Sequence, residues 1–141
     1  MSVTGTAQPG GHQGERADVE LRLPADSAYA SVLRTTAAGL AARIDVTIDD
    51  IEDLRIAVGE ANAMVLPEAG PGSDLHCRFF LAPGRLTIAV SVTSPGAAAP
   101  DRDSFAWQVL TTLASSATAE SVDGQFVVTM TMHSSIAGVG L

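Results

Sequence analysis

Over most of the chain, apolar residues either alternate with polar ones or recur at helical spacing. This pattern predicts the strands and helices. Residues 19–23 alternate strictly and predict a first strand, which Pro24 ends. We expect a helix from Asp26 or Ser27, either of which can cap it, to about Arg43. Four residues at helical spacing predict its buried stripe: Tyr29, Leu33, Thr36 and Leu40.

A second helix is predicted from Thr47, with Asp50 at the position that completes a capping box. Pro67 and the following glycines end it. Its predicted apolar stripe consists of Ile51, Leu54, Val58, Ala61 and Val65.

Two strictly alternating runs, 75–81 and 86–92, surround Ala82-Pro83-Gly84-Arg85 and predict a hairpin with a type II turn. A third helix is predicted over about Ser104–Ala117 with Asp103 as its cap. Asp123-Gly124 predicts a second tight turn before a last strand with Phe126, Val128, Met130 and Met132 on one face.

Together these elements predict an α/β two-layer sandwich, with three helices on one face of a mixed, mostly antiparallel sheet of about five strands. Residues 1–17 are rich in glycine and poor in apolar residues, so we expect a disordered tail. The expected domain spans residues 18–133, and residues 134–141, which are mostly small, are expected to form a flexible C-terminal tail.

Composition narrows the functional classes. The 141 residues carry 16 acidic and 8 basic side chains, for a net charge of -8, which disfavours binding to nucleic acid. All basic residues are arginine, so a P-loop lysine is absent. The chain has one cysteine, no apolar leader and no run long enough for a membrane span, so we expect a cytoplasmic protein without membrane association.

The residues that most often carry chemistry give little support for an independent active site. His12 falls in the predicted tail, and His76 and His133 fall on the wetter strand faces without an acidic partner at ligand spacing, so no metal site is predicted. Cys77 shares the core-facing side of its strand and is interpreted as a small buried apolar group. No nucleophile elbow is present.

Glu60 lies off the apolar stripe of the second helix, in the run Ala57-Val58-Gly59-Glu60-Ala61-Asn62-Ala63-Met64. Together with the order of elements and the segment 103–114, this run resembles the RsbW-like anti-sigma factors, whose domain has the GHKL (Bergerat-type) ATPase fold. The resemblance covers residues 19–132, and its strength lies in the order and spacing of weak motifs.

In members of this group that act as kinases, a helical glutamate is the general base and an asparagine one turn later holds magnesium. An Asp-x-Gly-x-Gly segment binds adenine, and glycine-rich loops cover the phosphates. The resemblance places Glu60 at the base position and Met64 at the asparagine position, where a thioether suits magnesium poorly. Ser94 replaces the adenine aspartate, while Gly96 remains, and no glycine follows until Gly124. These departures favour a degenerate site without ATP or magnesium.

The resemblance also implies the partners. In the family a sigma factor docks on a dimer through an exposed arginine of the first helix, which the anti-anti-sigma (STAS) protein also contacts. Alignment places that arginine at Arg34, which lies off the predicted stripe and is therefore expected to be exposed. The leading hypothesis is an anti-sigma factor that sequesters an alternative sigma factor and releases it to an antagonist. An active serine kinase and a degenerate domain that regulates another partner stay open, as does a homodimer.

Overall fold

The structure, a computed structural model, describes residues 15–96 and 99–135. Within these ranges lie five strands and three α-helices, with short 3₁₀ turns at Ser27–Tyr29 and Leu66–Glu68. Their order is β1 (Val19–Pro24), α1 (Ala30–Ala41), α2 (Ile48–Val65), β2 (Asp74–Ala82), β3 (Arg85–Thr93), α3 (Phe105–Leu113), β4 (Ser116–Val122) and β5 (Gln125–His133). No helix in the described ranges has the length and apolar character needed to cross a bilayer.

The strands form one sheet in the order β1-β2-β3-β5-β4, and the three helices pack on one of its faces. This confirms the predicted two-layer α/β sandwich. Each of the four described strand pairings is antiparallel, so the expectation of a mixed sheet is wrong. Hairpin turns join β2 to β3 and β4 to β5, and such turns can only connect antiparallel neighbours.

The core lies between the helices and the inner face of the sheet. Strand pairing aligns alternate apolar residues, such as Ile88 with Met130 and Val90 with Val128, all of them fully buried. Cys77 is also fully buried, and burial raises the pKa of its thiol to about 12, which confirms its interpretation as a core residue.

The buried stripe of α1 differs from the predicted one. Leu33, Ala37 and Ala41 are buried, whereas Thr36 and Leu40 are only half-buried and Tyr29 is exposed. The prediction followed the larger side chains, but small alanines permit the close approach of α1 to its neighbours. The hydroxyl of Thr36 donates to the Val32 carbonyl oxygen at 2.9 Å, so its polar atom is satisfied within the helix itself.

Helix α2 begins as predicted. The Asp50 amide donates to Thr47 Oγ1 and the Thr47 amide donates to Asp50 Oδ2, both at 3.0 Å, which is a complete capping box. The core-facing residues Leu54, Val58, Ala61 and Val65 are buried as expected, while Ile51 is half-buried. Proline at position 67 follows directly, where the helix tightens into a 3₁₀ turn.

The two predicted tight turns are confirmed by their backbone geometry. Gly84 has φ of 67°, as the third position of a type II turn requires. Asp123 and Gly124 have φ of 52° and 76°, the pair of positive values that a type I′ hairpin turn needs.

Helix α3 is shorter than predicted. It ends at Leu113, Ser104 rather than Asp103 caps it by accepting from the Trp107 amide, and Ser116–Val122 form strand β4. The small residues of this segment carry no clear periodicity, so its conformation is decided by pairing with β5.

The predicted tails lie mostly outside the described residues, which begin at residue 15 and end at residue 135. At the C-terminal side, Ser134 is buried and its hydroxyl donates to the Asp45 carbonyl oxygen at 2.6 Å. The amide and hydroxyl of Ser135 both donate to Asp50 Oδ2, at 3.1 and 3.0 Å. The chain after β5 is therefore attached to the beginning of α2.

Candidate functional site

Arg34 packs against a glycine of the neighbouring helix, where no side chain stands in its way. A Cβ atom placed on Gly59 of α2 would be 3.6 Å from Arg34 Cδ and 3.7 Å from Arg34 Nη1, so the arginine side chain lies along the bare glycine backbone. Arg34 is therefore half-buried, and the prediction that it is exposed is wrong. The reason is tertiary: the aliphatic stem packs on α2, a contact that the stripe of α1 alone does not show.

The guanidinium of Arg34 is chemically unsatisfied. Within residues 15–96 and 99–135, no hydrogen bond or ion pair engages it, although the chain has an excess of carboxylates. Arginine carries five donors in a planar fork that fits a carboxylate in two-point geometry. A half-buried guanidinium that is held by its stem and is unpaired within the described ranges can bind a carboxylate with two hydrogen bonds.

Gly59 is the residue of this site that sequence reasoning missed. Glycine inside a helix costs about 1 kcal/mol relative to alanine, so its presence at the middle of α2 is a signal of close packing. That signal is readable in the sequence, but only the structure shows that Arg34 occupies the space.

Glu60 and Met64 lie one turn apart on α2, as the resemblance requires. Both are half-buried, and Met64 packs against the core. Within the described ranges, the carboxylate of Glu60 has no hydrogen-bond partner. Asn62 is buried on another side of the helix, with its Oδ1 atom unpaired in the described structure. No oxygen donor therefore stands in for the missing magnesium asparagine at the Met64 position.

The segment that would hold adenine is engaged in contacts within the chain. Ser94 is buried, its amide donates to the Gly124 carbonyl oxygen at 2.8 Å, and its hydroxyl donates to the Gly96 carbonyl oxygen at 3.2 Å. Pro95 packs so tightly on Gly70 that a Cβ there would be 2.7 Å from Pro95 Cδ. These contacts fix the loop through its own atoms and leave no carboxylate to accept from an adenine amino group.

Two open cavities flank Ser94–Gly96. One, of about 430 Å³, is bounded by the α2–β2 connection, and the other, of about 210 Å³, by the β4–β5 turn. Among the described residues, their linings include the carboxylates of Glu68 and Asp123 and no basic side chain. The described side chains therefore supply these cavities with negative charge and with no cation to bind a triphosphate.

The described part of the segment before α3 is tied to the sheet. Arg102 donates from Nη2 to the Ala119 carbonyl oxygen at 3.0 Å, and its guanidinium lies 5.8 Å from the centre of the Trp107 ring. Ser104 donates from its amide and its hydroxyl to the Asp101 carbonyl oxygen. Where a kinase has a glycine-rich cover, this chain has an anchored turn, so the residues present do not fit magnesium and ATP.

His76, His133 and Cys77 form no second site within the described residues, and His12 lies outside them. His76 Nε2 lies 2.7 Å from Glu20 Oε1 on the outer face of the sheet, an acidic partner that strand pairing supplies and sequence spacing did not reveal. This hydrogen bond lowers the pKa of Glu20. In the part of the chain that the structure describes, no three His, Cys, Asp or Glu side chains are grouped to hold a metal ion.

The sheet order, the helical layer and the positions of Glu60 and Ser94 define the class of domain, a GHKL-type α/β sandwich. A crystal structure of the RsbU and RsbW domains of Rv1364c from Mycobacterium tuberculosis matches this fold with a TM-score of 0.61 and 20% sequence identity. The match covers 84% of this chain and 33% of that one.

Curated relatives carry the resemblance to a particular group. The chain is 40% identical over 81 residues to the serine-protein kinase RsbW of Halalkalibacterium halodurans, a match that covers 57% of this chain and 49% of the relative. RsbW proteins of Bacillus velezensis and Bacillus subtilis match at 49% and 34% identity, each over 52% of this chain and 48% of the relative. The chain thus spans about half the length of the relatives it matches. No protein-family model matches it. The resemblance to RsbW proteins inferred from the sequence is confirmed.

Proposed function

We propose that the protein is an anti-sigma factor that sequesters an alternative sigma factor without using ATP and releases it when an anti-anti-sigma protein binds. The observation that carries the proposal is Arg34, a half-buried guanidinium that has no partner among the described residues and lies on Gly59, at the position that the RsbW resemblance assigns to partner binding. A cation prepared in this way binds a carboxylate without first breaking an ion pair of its own.

The resemblance supplies the identity of the partners, and the charge of the chain agrees with a protein rather than a nucleic-acid partner. A net charge of -8 repels phosphate backbones, so control of transcription would be exerted on the sigma factor and not on DNA. Such an activity belongs to the cytoplasm, where RNA polymerase acts. Assembly as a homodimer is included in the proposal and is testable by sedimentation.

The direct test is transcription from a promoter that depends on an alternative sigma factor, with each such factor of the source organism assayed singly. We expect the wild-type protein to inhibit one of them. Arg34→Ala should weaken binding to that factor by about 2 kcal/mol, or roughly thirtyfold. Its stability should fall by no more than about 1 kcal/mol, since only the packed stem is lost.

Arg43→Ala is the matched control, because Arg43 is an exposed arginine just after the same helix. It should bind and melt like the wild type. If Arg34→Ala and Arg43→Ala both bind normally, the role of Arg34 is wrong. If no sigma factor is inhibited, the proposed function itself is wrong.

A second candidate function is an active serine kinase that phosphorylates the anti-anti-sigma protein. Two points favour it: the matching relatives are named serine-protein kinases, and the resemblance assigns Glu60 to the general-base position. Calorimetric titration with magnesium-ATP decides between the two. The loss of the metal ligand and of the adenine aspartate should weaken binding by on the order of a hundredfold. A low-micromolar dissociation constant, or transfer of radiolabelled phosphate to a serine of the partner, would establish the kinase instead.

A further inference from the structure

The surface around Arg34 includes an exposed apolar residue, Ile56, to which the proposed function assigns no role. Ile56 precedes Gly59 by one turn of α2, so the two residues are neighbours on the helix surface, and Arg34 rests on Gly59. Ile56 is 50% exposed although it is a large apolar residue in the middle of an 18-residue helix. We call Arg34, Ile56 and Gly59 together the α1–α2 surface.

Charge surrounds Ile56 in a definite pattern. Glu52 and Glu60 lie four residues before and after it, so a carboxylate lies one turn away on each side along the helix. Within the described ranges neither carboxylate takes part in an ion pair. Arg55, four residues before Gly59 on the same helix, is half-buried and likewise has no ion pair within the described ranges. Together with the two carboxylates, the α1–α2 surface thus presents two unpaired cations, one apolar side chain and two unpaired anions within about two helical turns.

We propose that Ile56 is a specificity-determining contact of the α1–α2 surface, which binds an amphipathic segment of the sigma factor with a complementary pattern. That segment presents a carboxylate to Arg34, an apolar side chain to Ile56, and basic side chains to Glu52 and Glu60. The proposal rests on the proposed function, since it names the part of the partner that the same site selects. An acidic segment without basic neighbours is rejected because it meets the two carboxylates.

A second exposed isoleucine of α2, Ile48, does not share this position. Ile48 is 77% exposed but occupies the first turn of α2, about 12 Å along the helix axis from Ile56. Ile48 therefore provides a control of the same residue type, on the same helix, at a place outside the α1–α2 surface.

The experiment measures the dissociation constant of each purified alternative sigma factor of the source organism, immobilised singly, for the wild type and four variants. Ile56→Ala should weaken binding about tenfold, because the exposed half of the isoleucine no longer contributes apolar contact. Ile56→Glu should weaken it more than Ile56→Ala, since it adds a third carboxylate to the row. Ile48→Ala and Ile48→Glu should leave the dissociation constant unchanged, and all four variants should melt within a few degrees of the wild type.

The dependence of binding affinity on salt concentration distinguishes the contact of Arg34 from that of Ile56. Arg34→Ala should reduce the dependence of affinity on salt, whereas Ile56→Ala should lower affinity and leave that dependence unchanged. If the wild type binds a sigma factor and Ile56→Ala binds equally well, the inference about Ile56 is wrong and the proposed function stands. If the Ile48 variants lose as much affinity as the Ile56 variants, the contact is not specific and the inference is also wrong. If no sigma factor binds the wild type, both proposals fail.

Discussion

Removing the Asp50 carboxylate should destabilise the domain by about 2 kcal/mol, although this residue is near no proposed binding contact. Its Oδ2 atom accepts three hydrogen bonds: from the Thr47 amide at 3.0 Å, the Ser135 amide at 3.1 Å and the Ser135 hydroxyl at 3.0 Å. Loss of the bond from the Thr47 amide, one of the two bonds of the capping box, costs about 1 kcal/mol, and loss of the two bonds to Ser135 adds about 1 kcal/mol more. For a domain of this size, Asp50→Ala should lower the melting temperature by about 6 °C.

Asp49→Ala is the matched control. Asp49 is an exposed aspartate in the same first turn, so it shares the interaction with the helix dipole, but its carboxylate makes no hydrogen bond within the described ranges. Its removal should cost only about 0.5 kcal/mol. The assay is thermal and denaturant unfolding of both variants beside the wild type. Equal losses for Asp49→Ala and Asp50→Ala would refute the hydrogen-bond argument, since only charge near the helix end would then matter.

The same contacts predict a pH dependence. Burial raises the pKa of the Asp50 carboxyl, but the hydrogen bonds from Thr47 and Ser135 outweigh it, so the pKa lies below the ordinary value of 3.8. A carboxyl with a lowered folded-state pKa stabilises the fold above its unfolded pKa and loses this effect as the pH falls through the folded pKa. The stability difference between wild type and Asp50→Ala should therefore be constant from pH 5 to 7 and shrink below about pH 3.8. A difference that persists unchanged at lower pH would contradict this account.

Three further predictions follow from single positions. Gly39→Ala in α1 should stabilise the fold by about 0.5–1 kcal/mol, because a Cβ there meets nothing within 4 Å. Gly124→Ala should destabilise the fold by about 1–2 kcal/mol despite equally open space, because the φ of Gly124 is +76°. Thermal melts of the two variants beside the wild type should show opposite signs. Cys77 should resist alkylation at neutral pH in the folded protein and react at full rate in denaturant; rapid labelling of native protein would show that its strand is mispaired. Glu60→Ala should leave inhibition of sigma-dependent transcription intact at saturating protein, because one ion pair at the surface contributes at most about 1 kcal/mol to sigma-factor binding, and lost inhibition by a well-folded variant would show that Glu60 serves nucleotide chemistry.

Prediction from the sequence failed where small residues decided the packing. The stripe of α1 was placed on Thr36 and Leu40, whereas the structure buries Ala37 and Ala41, because close packing of helices selects small side chains as well as large ones. Likewise, the sequence after Leu113 predicted more helix, and pairing with β5 made it a strand. Propensity is a local quantity, and both outcomes depend on neighbours that are distant in the chain.

The sequence by itself determined the features that local chemistry controls. Strict alternation defined the β2–β3 hairpin, positive-φ turn residues defined the turns at Gly84 and Gly124, and the Thr47–Asp50 pair began α2. It also placed Glu60 and Met64 one turn apart, since helical spacing is fixed by the backbone itself.

Only the tertiary structure decided the environment of the site. Three features depend on how α1 meets α2: Arg34 lies on Gly59, its guanidinium has no partner in the described chain, and Ile56 is exposed one turn from Gly59. The same holds for Arg102, which reaches the Ala119 carbonyl oxygen of β4. Burial and pairing are properties of surfaces brought together by folding, so residue spacing along one element cannot specify them.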